Sequence, residues 1–370
     1  MRTGEYLYHQ LIPYLGNKRR LLPWLAEALG RTGQVRGATF LDLFAGSGVV
    51  SRLAKSLGFR VIANDWEPFS FWLNQAAIGL NRPPAFDRLD GAERVFDHLN
   101  RLPPVDGYLA RHYCPEDDGA PDPDRERLFF TRANGRRLDA MREQIAEWEA
   151  AGVIDEAEKA YVLAPLLFTT SYVSNTSGVF KAFHRGWGGQ TGTAHYRILS
   201  RATLRPPVLR DNAQFNRVHQ ADAAAIAGRA WADIVYLDPP YNQHQYGSNY
   251  HLLNTLALWD KPPLSPRHEP GRRGQKSAIR LDWRADRRSA YCSRRTAPEA
   301  LAGLLDQIDA RHIILSYSSE GLIPAEQLLG ILSQHGRLQV LTRPYKRYRV
   351  SSQRYSARAH TQEIVVIVSR

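Results

Sequence analysis

The stretch 233-DIVYLDPPYNQHQYGSNY-250 ends an apolar run on Asp238, follows it with Pro239, Pro240 and Tyr241, and continues into a polar, aromatic tail. An acid at the tip of a buried strand is costly unless a partner satisfies it, and strand tips are where open α/β sheets bind ligands. Proline fixes φ and carries no N–H, so two in a row present their carbonyls as rigid acceptors. Carboxylate and carbonyl together suit an NH₂ group. The exocyclic amine of a nucleobase is a poor nucleophile because its lone pair is delocalised into the ring. Accepting both its protons favours a more tetrahedral nitrogen that can attack. Tyr241 offers a face on which a base swung out of a duplex can stack.

A second group of residues suits a nucleoside. In 40-FLDLFAGSGVV-50, Gly46 and Gly48 follow a strand and precede a helix, so the backbone can approach a ligand and the helix start offers free N–H groups. Asp42 sits inside the end of that strand, where an acid is costly unless it has a partner. Asp65 closes the next strand, where a carboxylate is the usual acceptor for two ribose hydroxyls. The turn reads G-S-G-V-V-S and lacks the third glycine of a dinucleotide site. An Asp beside the turn repels phosphates and suits a cation. S-adenosylmethionine, with a sulfonium, an ammonium and no phosphate, fits.

The elements that must hold these residues read as α/β. Helical spacing covers 21–30, 49–58, 300–310 and 325–336; strands read at 38–46, 60–65, 232–238, 311–319 and 363–369. Strand, glycine turn, helix and strand in succession make the unit of a parallel sheet. Between about 84 and 215 helical stretches and Gly/Asn/Ser-rich loops replace this grammar, and the acidic loop 116–126 reads as solvated and mobile. The expected division is a catalytic domain of 1–84 with 216–370, an inserted domain at 85–215, and a basic insertion at 262–298.

The 370 residues carry a net charge of +12, and 43% are hydrophobic. Residues 266–296 hold ten Arg or Lys against three acids and lack sustained helical or strand periodicity; 337–360 hold seven basic residues and no acid, interleaved with Tyr345, Tyr348 and Tyr355. Charges aimed at phosphates and tyrosines packed on bases point to nucleic acid rather than a membrane. No apolar run approaches the ~18 residues a membrane helix needs. Cys114 and Cys292 are isolated, which suggests neither a disulfide framework nor a cysteine zinc site. A soluble, cytoplasmic protein is expected.

D-P-P-Y after a strand, F-x-G-x-G after an earlier strand and 14-YLGNKRRLL-22 near the start together resemble the Dam-like DNA adenine-N6 methyltransferases of the α order. The match runs from residue 14 to about 320. The resemblance implies a Rossmann-like class I methyltransferase sheet with an inserted, mainly helical DNA-recognition domain. It implies Tyr14, Gly16 and Lys18 at the methionine end of the cofactor, Lys18 near its carboxylate. Asp42, Phe44, Ala45, Gly46, Ser47 and Gly48 would hold the methionine portion, Asp65 the ribose, and Trp66 the adenine. Asp222 would meet the adenine amine; from the residues alone it reads as a helix cap.

Asp238, Pro239, Pro240 and Tyr241 would take the target base. Residues 171–187 are similar to the family's N-x-x-G-x-F element, which nominates Asn175, Ser177, Lys181 and Arg185 for DNA contacts. The tail after the motif resembles adenine methylases of restriction systems, with His244, Tyr246, Ser248 and Asn249 gripping the strand. Double-stranded DNA is the expected partner, alongside a possible cognate restriction endonuclease. No metal is required, because the sulfonium is already an activated leaving group.

Four rival readings follow from the same residues. Cytosine-N4 methylation uses the same chemistry, although Ser more often leads its motif; methylation of RNA or a protein amide usually has Asn there. An NAD-dependent oxidoreductase would share the glycine turn and Asp65 but leave the Pro-Pro-Tyr element and the basic segments without a purpose. A non-catalytic DNA-binding protein would have no need of both motifs intact.

Overall fold

The computed structural model describes residues 3–189, 192, 194–229, 231–268, 276–346 and 360–370. Seven strands form one sheet: β1 (Thr39–Asp42), β2 (Arg60–Asp65), β3 (Arg217–Gln220), β4 (Ala232–Leu237), β5 (Ala310–Ser318), β6 (Arg337–Lys346) and β7 (His360–Ser369). Their order is β3-β2-β1-β4-β5-β7-β6. β1 to β5 run parallel, with Phe40 opposite both Val61 and Ile234; β7 enters antiparallel between β5 and β6. Connections leave β1 toward β2 on one side while β4 lies on the other. The tips of β1 and β4 therefore flank a topological switch point, the crevice where such sheets bind ligands.

Both faces are buried, which is why the strands read as nearly continuous apolar runs. Leu41, Val235, Leu237, Ile313 and Leu315 pack on one face against the helices Ala297–Gln307 and Ala325–Ser333. Phe40, Val61, Ile234, Tyr236 and Ile314 pack on the other against Leu22–Gly30 and Val49–Ser56. The sheet is thus covered by helices on both sides, the expected α/β architecture. Two strands escaped the sequence pattern. β3 is short, with mixed exposed and half-buried positions. β6 carries basic residues and Pro344, which an edge strand tolerates because one side of its ladder is open. Residues 337–346, grouped by charge with a nucleic-acid segment, are part of the sheet. Tyr348, Tyr355 and 269–275 lie outside the described residues. Within the other basic segment, Leu281–Asp286 forms a short helix and Ala290–Cys292 a 3₁₀ turn, although no periodicity marks either.

Every described element between 84 and 215 is helical, the longest being Arg132–Ala150 and Glu156–Val173. Each of these two starts on a side-chain cap, Thr131 accepting from Asn134 N and Asp155 in a capping box with Glu158. Their apolar cluster does not stop at the insertion: Phe69, Leu73, Tyr250, Leu252, Leu253 and Leu256 belong to it. Arg142 donates to the Leu256 carbonyl at 2.7 Å. The loop 116–126 is pinned rather than loose, because buried Glu126 accepts from the Glu116 and Asp122 amides (3.0 and 2.9 Å) and Asp118 accepts from Arg132 N.

Lys55 lies fully inside the sheet's helical layer, donating to the carbonyls of Ile78 and Leu80 at 2.8 and 2.7 Å. Burial pushes its pKa down to about 7. Lys55→Met should strand those carbonyls and cost on the order of 3 kcal/mol; a thermal midpoint unchanged from wild type in calorimetry would contradict this.

Candidate active site

A cavity of about 440 Å³ opens at the switch point and is lined by residues from both motifs, including Tyr14, Lys18, Asp42, Gly46, Asp65 and Asp238. The glycine turn shapes one wall. Gly46 has φ +52°, and a Cβ there would fall 2.6 Å from the Tyr14 ring; at Gly48, φ +78°, it would fall 2.4 Å from Asn74 Oδ1. Neither position accepts a side chain. Asn17, on the N-terminal segment, donates to the Ser47 hydroxyl at 3.3 Å. Gly16 turns with φ +75° against Tyr241, whose hydroxyl would lie 3.2 Å from an added Cβ.

Asp238 is not left without a counter-charge. Lys18, 2% exposed, places Nζ 2.9 Å from Asp238 Oδ1 and 3.2 Å from the Gly16 carbonyl. The same ammonium stands 5.1 Å from the centre of the Tyr241 ring. Burial opposes charge on Lys18, but Asp238, with Tyr241 and Glu363 beyond it, outweighs burial and holds the ammonium well above the usual lysine range. Burial raises Asp238, and Lys18 pulls it back. The lysine assigned by resemblance to a cofactor carboxylate therefore faces Asp238. Glu363, buried near the start of β7, carries no motif and is legible only once β7 is seen beside β5.

Further carboxylates ring the cavity. Asp42 accepts from the Ser51 hydroxyl at 2.7 Å and the Phe44 amide at 3.3 Å, and burial raises it to about 7. Asp65 accepts from Gly46 N at 2.7 Å and Glu67 N at 2.9 Å, so it organises the turn before any ribose arrives. Glu67, which no pattern flagged, is buried, bonded to Asn254, and raised to about 7 by burial, with Asp65 adding to it. Asp222 caps the helix Ala223–Ala227 through the Ala224 amide and also lines the cavity, so cap and ligand-facing acid are one residue. Phe44 meets Tyr291 edge-on at 5.2 Å, and Pro239, Pro240, Ser47, Ala45 and Trp66 line the same space.

The residues nominated for DNA divide. Asn175 is fully buried: its amide donates to the carbonyls of Leu128 and His184 and its Oδ1 accepts from Gly188 N. It braces a loop and is removed from the DNA-facing set. Asn249 is 3% exposed and is removed likewise. Tyr246 points inward, donating to the Leu15 carbonyl at 3.0 Å and lying against Tyr14. Ser177, Lys181, Arg185 and His244 are exposed and Ser248 half-buried; Arg185 forms a two-pronged pair with Asp124. Phe180 joins the two stretches, its N–H donating to the Asn249 carbonyl and its carbonyl facing His251 Nε2 at 2.9 Å. A second cavity, about 1230 Å³, lies between the N-terminal segment and this loop and is lined by Tyr8, Arg19, Tyr172, Ser177, Arg185 and Arg197. No described helix is long and apolar enough to cross a membrane.

Residues 14–268, more than half of the chain, match the family described as D12 class N6 adenine-specific DNA methyltransferase. The chain is 33% identical to Type II methyltransferase M.NlaIII of Neisseria lactamica over 91% of its own length and 92% of that protein. It is 31% identical to Type II methyltransferase M.FokI of Planomicrobium okeanokoites over 95% of its length but spans about half, 50%, of that longer relative. Type II methyltransferase M.CviAII of Paramecium bursaria Chlorella virus 1 is 29% identical over 91% of the chain and 93% of its own.

The acids set a pH dependence. Folded Asp42 and Glu67 keep their protons to about pH 7, whereas their ordinary values are 3.8 and 4.5. The folded state therefore binds more protons in that window, and the stability they contribute is lost as pH rises through about 7. The ligand-free protein should melt lower at pH 8 than at pH 5, and Glu67→Gln should shrink the difference; an equal difference in the variant would contradict the assignment.

Proposed function

The chain belongs to the D12 class N6 adenine-specific DNA methyltransferases, and from that premise we propose that the β1/β4 cavity takes S-adenosylmethionine beside a flipped adenine. The observation carrying this reading is one shared cavity that holds the glycine turn, the acid-rich wall and Asp238 to Tyr241. Its fit to the cofactor rests on the donor set: the buried acids Asp42, Asp65 and Glu67 have raised pKa values, which a sulfonium and an ammonium would bring down and a pyrophosphate would raise further. Tyr14 and the turn 44–48 would hold the methionine portion, Asp65 and Glu67 the ribose, and Trp66 with Asp222 the adenine. When bound, S-adenosylmethionine supplies a methyl group on a sulfonium, which the base nitrogen takes by in-line displacement.

The chain's own residues do the remaining work. Asp238 accepts a hydrogen bond from one amine N–H and the Pro239 carbonyl from the other, favouring a tetrahedral nitrogen, and the single proton that the methylated amine loses leaves by way of Asp238. Lys18 opposes the burial that raises the Asp238 pKa and so favours the carboxylate as acceptor. The amine has to share or take over the lysine's place on the carboxylate. Tyr241 bounds the base position. Residues 85–215 serve target recognition, with duplex DNA tracking the second cavity, where Arg19 and Arg197 lie over the rings of Tyr8 and Tyr172 at 5.0 and 5.9 Å. The Type II relatives favour a role in restriction-modification with a cognate endonuclease, in the cytoplasm.

Asp238→Asn should lower kcat by on the order of 10²-fold or more while leaving the S-adenosylmethionine Kd within a few fold, measured by methyl transfer to DNA and by calorimetry. Full activity would remove Asp238 from the mechanism. Arg19→Ala should weaken duplex binding and reduce the slope of log K against log salt by about 1. An unchanged slope in fluorescence anisotropy would place the DNA elsewhere.

A further inference from the structure

The basic insertion stands against the active-site cavity, not only on the outer surface. Arg287, Ser289 and Tyr291 line it. The segment is held there by protein contacts: Ser289 N donates to Gln245 Oε1 at 2.9 Å, five residues past Pro240, and Trp283 packs over Gly247. The Arg287 guanidinium lies between two indoles, 4.5 Å from the centre of Trp283 and 5.8 Å from Trp66. Its Nη2 reaches the Trp66 carbonyl at 3.5 Å, and its Nη1 is buried with no hydrogen-bond partner among the described residues.

A buried guanidinium N–H without an acceptor is costly, so the site calls for one. The neighbouring acids narrow its chemistry. The guanidinium already has an acid within its field, since Arg287 lowers the Glu67 pKa against burial, so a further anion is not called for and the acceptor is neutral, such as a ribose oxygen or a purine ring nitrogen. Resting on the cofactor reading above, we propose that Arg287 is a cofactor-binding residue: its Nη1 donates to the adenosine portion of S-adenosylmethionine while Trp66 and Trp283 fix the guanidinium plane. Part of the positive charge that reads as a DNA-binding segment therefore serves the cofactor.

The test compares the wild-type chain with Arg287→Gln, Arg287→Lys and, as an exposed control in the same segment, Arg295→Gln. Calorimetry with S-adenosylhomocysteine, competition by adenosine alone, and anisotropy with a fluorescent duplex across a salt series give three readouts. Arg287→Gln should raise the S-adenosylhomocysteine Kd at least about tenfold, one lost hydrogen bond to a charged group, and weaken adenosine to a similar degree. Arg287→Lys, which keeps charge without the planar fork, should be only partly restored. The duplex Kd and salt slope should stay at wild-type values, and Arg295→Gln should leave both cofactor readouts unchanged. Unchanged cofactor affinity in Arg287→Gln, intact adenosine competition, or a loss confined to duplex binding with a shallower salt slope would each overturn the proposal. A wild-type chain that binds neither S-adenosylhomocysteine nor S-adenosylmethionine would instead overturn the cofactor reading beneath it.

Discussion

A carboxylate at the tip of a buried strand can stay charged only if a cation is brought to it. Here Lys18 comes from the other end of the sequence to lie 2.9 Å from Asp238. Much of the architecture can be understood as what that contact needs. The N-terminal segment crosses over the sheet tips, where Gly16 lets the chain pass close to Tyr241, and Tyr14 fills the space that a side chain at Gly46 would occupy. β4 ends at the switch point beside β1, so the acid and the glycine turn face the same cavity.

The acids of that cavity act on one another through burial. Asp42 and Glu67 sit near neutrality with raised pKa values, each pushed further by a neighbouring carboxylate. A cationic ligand would relieve this mutual repulsion, whereas a phosphate would add to it. Selection among nucleoside cofactors thus arises from the field of the wall as much as from contacts to particular atoms.

The sheet was largely legible because its central strands are buried on both faces and punctuated by glycine: β1, β2, β4 and β5 stand where their apolar runs lie. β3 and β6 were not, since an edge strand has no buried alternation to display and its charges mimic a binding segment. Asp42, Gly46, Gly48, Asp65 and Asp238 to Tyr241 could be named from types and spacing, whereas Tyr14, Lys18, Trp66 and Asp222 came only with the family resemblance. Glu67, Arg287 and Glu363 could not be named, because each gains its role from a neighbour distant in sequence. Asn175 and Asn249, nominated for DNA contacts by resemblance to family elements, have their amides inside the fold, where Asn175 holds backbone and the Asn249 carbonyl accepts from Phe180. Through Phe180 and His251, that loop is tied to the stretch that follows the Pro-Pro-Tyr element.

The central claim is that this cavity methylates the N6 amine of an adenine in a defined duplex context. Single-molecule sequencing of DNA from a methylation-free host expressing the protein tests it most directly. The account predicts N6-methyladenine at one short recurrent sequence. N4-methylcytosine at the modified sites, or DNA without modification, would contradict it.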